Sequence, residues 1–177
     1  MGFELSKRSN NRLNTVDPRM QYVVREAIKL TKVDFGVICG KRTEAEQRKL
    51  VESGASQTMK SKHLDGIAVD LMAYVGSRAS WELNLYDDIA DAMAQAARKF
   101  DIGVCWGAAW ATYKSPYPMD IREWSGEQRV YYPKPNGKQE TIVYPPTMEG
   151  AMNSYIDLRR EQGRRPFIDG PHFELII

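Results

Sequence analysis

The chain holds only two histidines in 177 residues, and both stand in compact polar clusters. His63 lies in Ser61-Lys62-His63-Leu64-Asp65-Gly66-Ile67-Ala68-Val69-Asp70, and His172 in Asp169-Gly170-Pro171-His172-Phe173-Glu174. Neutral imidazole is the commonest side-chain metal ligand. Two histidines and one aspartate from distant parts of the chain would leave a zinc ion one open position. That is the layout of a catalytic rather than a structural site. If the two clusters meet in space, the chemistry they predict is metal-assisted hydrolysis.

His63 and Asp70 cannot share a face of one regular strand, because period two opposes residues at this odd spacing. The Asp65-Gly66 turn resolves the conflict by putting His63 before the turn and Asp70 on the strand after it. Asp70 stands in the apolar run Ile67 to Met72. A carboxylate there is costly unless it is paired or metal-bound; satisfaction by backbone donors or an arginine is the alternative. In a strand, His172 and Glu174 share one face and Phe173 and Leu175 the other. A turn at Gly170-Pro171 aims Asp169 at the same place. Zinc lowers the pKa of its water to ~7, and a nearby carboxylate can take that proton and pass it to the leaving amine. Asp169 also suits a plain turn, and His172 a hydrogen-bonded core position.

The elements that must position these groups follow from capping and periodicity. Asp17 caps a helix over about Pro18 to Lys32, with Pro18 in its first turn. A buried strand covers Phe35 to Cys39. Thr43 and Glu46 have capping-box spacing and open a helix to about Ser53, closed by Gly54. Ser56 to Lys62 reads as a loop and Ile67 to Ala73 as a strand. Ser80 caps a helix over Trp81 to Phe100, whose apolar residues recur at helical spacing. A short strand follows around Val104. Residues 114 to 147 are proline-rich and carry an Asn136-Gly137 hairpin signal, which reads as an insertion. A helix over Met148 to Gln162 and a strand over His172 to Ile176 close the chain. The pattern predicts α+β with a small, mainly antiparallel sheet flanked by helices, in one domain over residues 1–177.

Composition narrows the classes. With 25 basic and 23 acidic residues the net charge is +2, too balanced to imply nucleic-acid binding. No stretch approaches the ~18 apolar residues of a membrane span. The N-terminus has no signal-peptide core, so synthesis in the cytoplasm is expected. Cys39 and Cys105 read as buried reduced thiols in apolar surroundings, and no C-x-x-C motif suggests a thiolate zinc site.

The two histidine clusters resemble the paired signatures of the D-Ala-D-Ala metallopeptidase family, S-x-H-x-x-G-x-A-x-D and a histidine-bearing tail. Gly40-Lys41-Arg42-Thr43, Glu46-Gln47, Gly54 to Thr58 and Trp106-Gly107-Ala108-Ala109-Trp110 look most like its phage endolysins, the L-alanyl-D-glutamate peptidases. The resemblance implies a hedgehog/D-Ala-D-Ala peptidase-like fold and zinc held by His63, Asp70 and His172. It implies Asp169 as general base and Arg42 polarising the scissile carbonyl or holding a carboxylate. It suggests substrate contacts from Ser61, Gln57, Trp106 and Trp110, although Ser61 equally suits a turn-stabilising role. The implied partner is the peptidoglycan stem peptide, cut by a monomer at the cell wall after release from the host cytoplasm, with neither nucleic acid nor membrane involved. A D,D-carboxypeptidase or dipeptidase and a non-catalytic wall-binding protein are the alternatives. Ala109 stands where relatives often carry an acidic residue. The 114–147 insertion exceeds that of compact relatives. Its Tyr117, Trp124, Tyr131 and Tyr132 either border the cleft or pack the insertion onto the domain.

Overall fold

A computed structural model describes residues 2–132, 135 and 137–177. Among them run α1 (Lys7–Leu13), α2 (Pro18–Leu30), β1 (Asp34–Cys39), α3 (Glu44–Glu52), β2 (Ala68–Val75), β3 (Arg78–Ser80), α4 (Leu83–Phe100), β4 (Val104–Trp106), β5 (Glu127–Tyr131), β6 (Glu140–Tyr144), α5 (Met148–Glu161) and β7 (His172–Leu175). The main sheet has the order β1-β2-β7-β4, with β3 on β2, and every pairing is antiparallel. The α+β architecture and the antiparallel sheet are as expected.

Alternation along the strands divides the sheet into two faces. Val37, Val69, Leu71, Ala73, Val104, Phe173 and Leu175 belong to the hydrophobic core shared with α2 and α4. Met20, Val23, Val24, Ala27 and Ile28 form the inner side of α2. On α4 the inner side is rich in alanine, including Ala90, Ala94 and Ala97, which lets the two helices approach closely. Asp70 and His172 alternate with these core residues and so belong to the opposite face.

The capping residues act largely as expected. Asp17 accepts from the Arg19 amide at 2.9 Å, and Thr43 and Glu46 form the full capping box. The third expected helix begins at Leu83 rather than Trp81. Ser80 accepts from the Glu82 amide in the preceding turn instead of capping the helix. Helix α1 and strand β3 extend the predicted set.

The insertion folds as the β5–β6 hairpin; its expected Asn136-Gly137 turn falls partly outside the described residues. Glu127, 5% exposed, accepts from the Tyr113 and Lys114 amides and from the Ser154 hydroxyl, pinning the hairpin to α5. Tyr144 donates to Asp157 at 2.7 Å, and the Arg129 guanidinium lies 4.4 Å above the Tyr113 ring. Asp91 of α4 accepts from the Met148 amide at 2.7 Å and so caps α5 from another helix.

Candidate metal centre and active-site cleft

Asp70 is the centre of a row that crosses three strands. In register it faces Cys39 on β1 and His172 on β7. Opposed side chains on neighbouring antiparallel strands stand ~4.5–5.5 Å apart at Cβ, close enough to share a ligand. His63 joins from the loop before β2. Its carbonyl accepts from the Gly66 amide, and Gly66 has φ +69°, a left-handed turn conformation suited to glycine. The two histidines therefore meet, with ring centroids 5.2 Å apart.

The orientation of the rings decides what they can bind. His63 Nε2 lies 3.2 Å from one Asp70 oxygen, and His172 Nδ1 lies 3.1 Å from the other. The remaining nitrogen of each ring has its own acceptor: the Gly40 carbonyl at 2.9 Å from His63 Nδ1, and Glu174 at 2.9 Å from His172 Nε2. These acceptors hold a proton on each outer nitrogen, so a metal ion that displaces the inner protons would meet both inner lone pairs beside Asp70. Outer partners of this kind fix the tautomer of metal-binding histidines.

Charges follow the same geometry. Burial disfavours the charged form of His63, but Asp70 and Cys39 outweigh it and push its pKa up to about 10. Burial also opposes charge on His172, and Asp70 with Glu174 pushes it up to about 9. Burial acts to raise Asp70, yet the two imidazoles hold it well below the usual carboxylate range. Protons on the inner nitrogens therefore occupy the positions that a metal ion would take, and it would have to displace them. Two overlapping sets of ligand atoms lie within 4.8 Å of one another: Cys39, His63 and Asp70, and Asp70, Asp169 and His172. Two imidazoles and a carboxylate suit a borderline cation such as zinc.

Asp169 sits beside this row because two close approaches hold its backbone. Its amide donates to the Gly107 carbonyl at 2.8 Å, and the Gly107 amide donates to the His172 carbonyl at 2.8 Å. A Cβ at Gly107 would lie 2.2 Å from the Asp169 carbonyl oxygen, so only glycine fits between the two functional residues. Burial raises the Asp169 pKa, with Asp70 adding to the shift and the two imidazoles opposing it.

Arg42 reaches the row from the start of α3. Its guanidinium donates to Gln47 Oε1 at 2.6 Å and to Cys39 Sγ at 3.2 Å, and it lies 3.8 Å from Asp70. Gln47 is fully buried and also donates to Ser56 Oγ and to the Thr58 carbonyl, which makes it the hub between Arg42 and the cleft loop. The motif around Glu46-Gln47 pointed to this region, but a polar helix residue carries no sign of burial in its own sequence.

The remaining expected site residues divide. Gln57 is exposed and Ser61 half-buried on the cleft wall; Ser61 Oγ also accepts from the His63 amide at 3.3 Å, the turn-stabilising role. Trp110 is half-buried, with its ring 5.7 Å from that of His172. Trp106 is a correction: it is 0% exposed and its indole N–H donates to the Gly170 carbonyl at 2.7 Å. It supports the Asp169 turn from below and has no surface for substrate. Cys39 is a second correction, since its surroundings are polar rather than apolar. A β-bulge between Val37 and Cys39 sets it opposite Asp70, 3.5 Å from His63 Nδ1. Cys105 is buried as expected, and both thiols are free. Ala109 is buried in the core. Of the insertion aromatics, Trp124 is buried and donates to the Pro145 carbonyl, Tyr131 packs near Arg129, and Tyr132 is exposed. Tyr117 alone among them reaches the centre's surroundings, with its hydroxyl 3.4 Å from Glu174 and its ring 6.1 Å from Trp110.

The sheet thus gathers two histidines, an aspartate and a second, partly desolvated carboxylate that could hold a cation. The chain belongs to the phage L-alanyl-D-glutamate peptidase family, whose sequence model matches residues 1–124. It is 33% identical to the L-alanyl-D-glutamate peptidase of Escherichia phage T5 over 114 residues, covering 62% of this chain and 83% of that protein. It is 36% identical to the L-alanyl-D-glutamate peptidase of Listeria phage A118 over 72 residues, and there spans only 25% of the relative's length. Among solved structures, the Serratia marcescens L-Ala D-Glu endopeptidase ChiX aligns with a TM-score of 0.57 and 40% identity, covering 64% of this chain and 86% of that one. The family match includes His63 and Asp70 but ends before Asp169 and His172, which the sheet brings to them.

Proposed function

We propose that this chain is a zinc-dependent endopeptidase that hydrolyses the L-Ala–D-Glu bond of the peptidoglycan stem peptide, acting as a single domain at the cell wall as a monomer. The observation that carries the reading is the convergence of His63 Nε2, Asp70 and His172 Nδ1. Each imidazole has its other nitrogen occupied by an acceptor. Family membership supplies the bond and the substrate class.

His63, Asp70 and His172 would hold the zinc, which supplies Lewis acidity toward a water and toward the scissile carbonyl. Asp169 takes the proton from the attacking water and returns it to the leaving amine. Burial raises its pKa above the usual carboxylate value, the direction that strengthens a carboxylate as a base. Arg42, braced by Gln47 and Cys39, offers a fixed guanidinium to the carbonyl oxygen or to a substrate carboxylate. Glu174 and the Gly40 carbonyl hold the two imidazoles in register throughout.

The test is digestion of purified muropeptides with the products resolved by mass. Release of the stem peptide from its first alanine is expected. Loss of terminal D-Ala alone would contradict the endopeptidase reading, and no turnover by zinc-loaded protein would contradict catalysis.

A further inference from the structure

One part of the cleft lining is mainly polar, with Arg42, Ser56, Gln57, Thr58 and Ser61 beside Leu50 and Ala55. Phe167 also lines the cleft, and from it an aromatic row continues beyond that lining. Trp110 lies between Phe167, at 6.3 Å and 25° interplanar angle, and Tyr117, at 6.1 Å. Phe167 is 67% exposed and Tyr117 is 56% exposed.

Exposed aromatics are usually incidental, but this one is held in place. The Phe167 amide donates to Tyr155 Oη, and Tyr155 Oη donates back to the Phe167 carbonyl, both at 3.1 Å. The Trp110 indole N–H donates to the same carbonyl at 3.1 Å. Tyr155 is 2% exposed, so a core residue of α5 fixes the backbone of a segment whose ring faces solvent at the cleft. The hydroxyl of Tyr117 is likewise tied toward Glu174. Rigid backbone behind an open apolar ring is a recognition arrangement, because little side-chain entropy is lost on contact.

We propose that Tyr117, Trp110 and Phe167 form a sugar-binding ledge that takes the muramyl residue of the glycan strand on the amino side of the scissile bond. The inference rests on the L-Ala–D-Glu reading. On that side a single alanine separates the bond from the lactyl ether of N-acetylmuramic acid. One extended residue spans ~3.3–3.6 Å, so the sugar must lie within about two residue lengths of the centre. The Trp110 ring is 5.7 Å from His172, inside that reach. The carboxyl side of the bond carries only peptide with carboxylates and amides, which the polar lining and Arg42 suit. The C–H face of a pyranose suits flat aromatic rings, whereas carboxylates gain nothing from them. The ledge thus orients the substrate, and the enzyme prefers peptide still attached to glycan.

The experiment compares kcat/KM for a disaccharide-tetrapeptide and the free tetrapeptide, with the cleaved bond read by mass. Wild type should favour the disaccharide form by about tenfold or more, and Phe167→Ala and Tyr117→Ala should each reduce that preference by about three- to tenfold. Tyr22→Ala, an exposed aromatic on α2, serves as the control and should leave the preference unchanged. Saturation-transfer NMR with the GlcNAc-MurNAc disaccharide should show contact with wild type and a weaker signal with Phe167→Ala. An equal rate on both substrates, or an equal fall on both in the variants, overturns the ledge while leaving the bond assignment intact. Wild-type products lacking the L-Ala–D-Glu cut overturn both.

Discussion

The row Cys39–Asp70–His172 and the β5–β6 hairpin are both antiparallel pairings, yet they use polar residues in opposite ways. In the main sheet the polar groups of one face point at one another, and their outer atoms are held by Gly40, Glu174 and the Gly107 contact. In the hairpin the inward polar groups, Glu127 and Arg129, fasten the strands to Tyr113 and α5, while Val130 and Val143 are left exposed. The same period-two alternation builds a reactive centre where a helical core backs the sheet. It builds a fastening where one helix does.

Breaking the row should have the largest effect. His63→Ala removes one of two inward lone pairs; metal affinity should fall by more than the ~10–100-fold typical of an outer partner, and lysis should be lost. Asp169→Asn should keep its metal, read by elemental analysis, while turnover falls by about 10²–10⁴-fold. Equal turnover in this variant and wild type would remove Asp169 from the role of base. Glu174→Gln keeps the ring in place but removes the charge behind it, and metal affinity should fall by roughly 10–100-fold.

A milder contrast is set by pH. Both imidazoles have folded pKa values raised above 6.5, to about 10 and about 9. Their protonated contribution to stability is therefore fully present below pH 6.5 and lost as pH rises through those values. Chelated protein should show a falling Tm across that window, whereas the zinc-loaded protein, its lone pairs already engaged, should not. A flat Tm in the chelated protein would contradict the paired arrangement. The smallest effect belongs to the hairpin. Val143→Thr, on its exposed face, should change stability by less than ~0.5 kcal/mol and leave lysis unaltered.

Much of the centre was legible in the sequence because rare residue types marked it. Two histidines, a carboxylate in an apolar run and a Gly-Pro turn each carry a local chemical cost that points to a partner. Helices α2 and α3 were legible for the same reason, since Asp17 and the Thr43–Glu46 box announce their first turns. Helix α1 was not legible. In seven residues it buries only Ser9 and Leu13, too few to make an apolar periodicity. Cys39 was misread because a bulge shifts the register of β1, and a single inserted residue changes which partner a side chain faces. Trp106 was misread because aromatic residues serve equally in a cleft or beneath it; its buried bond to Gly170 is a tertiary fact. Gln47 and Phe167 have partners only 5 to 12 residues away, Arg42 with Ser56 and Tyr155, but those contacts depend on how the loops after α3 and α5 fold back and leave no periodic signal.

X-ray absorption spectroscopy of the zinc-loaded protein tests the central claim most directly, because Cys39 and His172 offer sulfur and nitrogen on opposite sides of Asp70. The expected spectrum has two imidazole nitrogens and a carboxylate oxygen at ~2.0–2.2 Å and no sulfur. A sulfur shell at ~2.3 Å, or a single imidazole, would contradict the assignment of His63, Asp70 and His172 as the ligands.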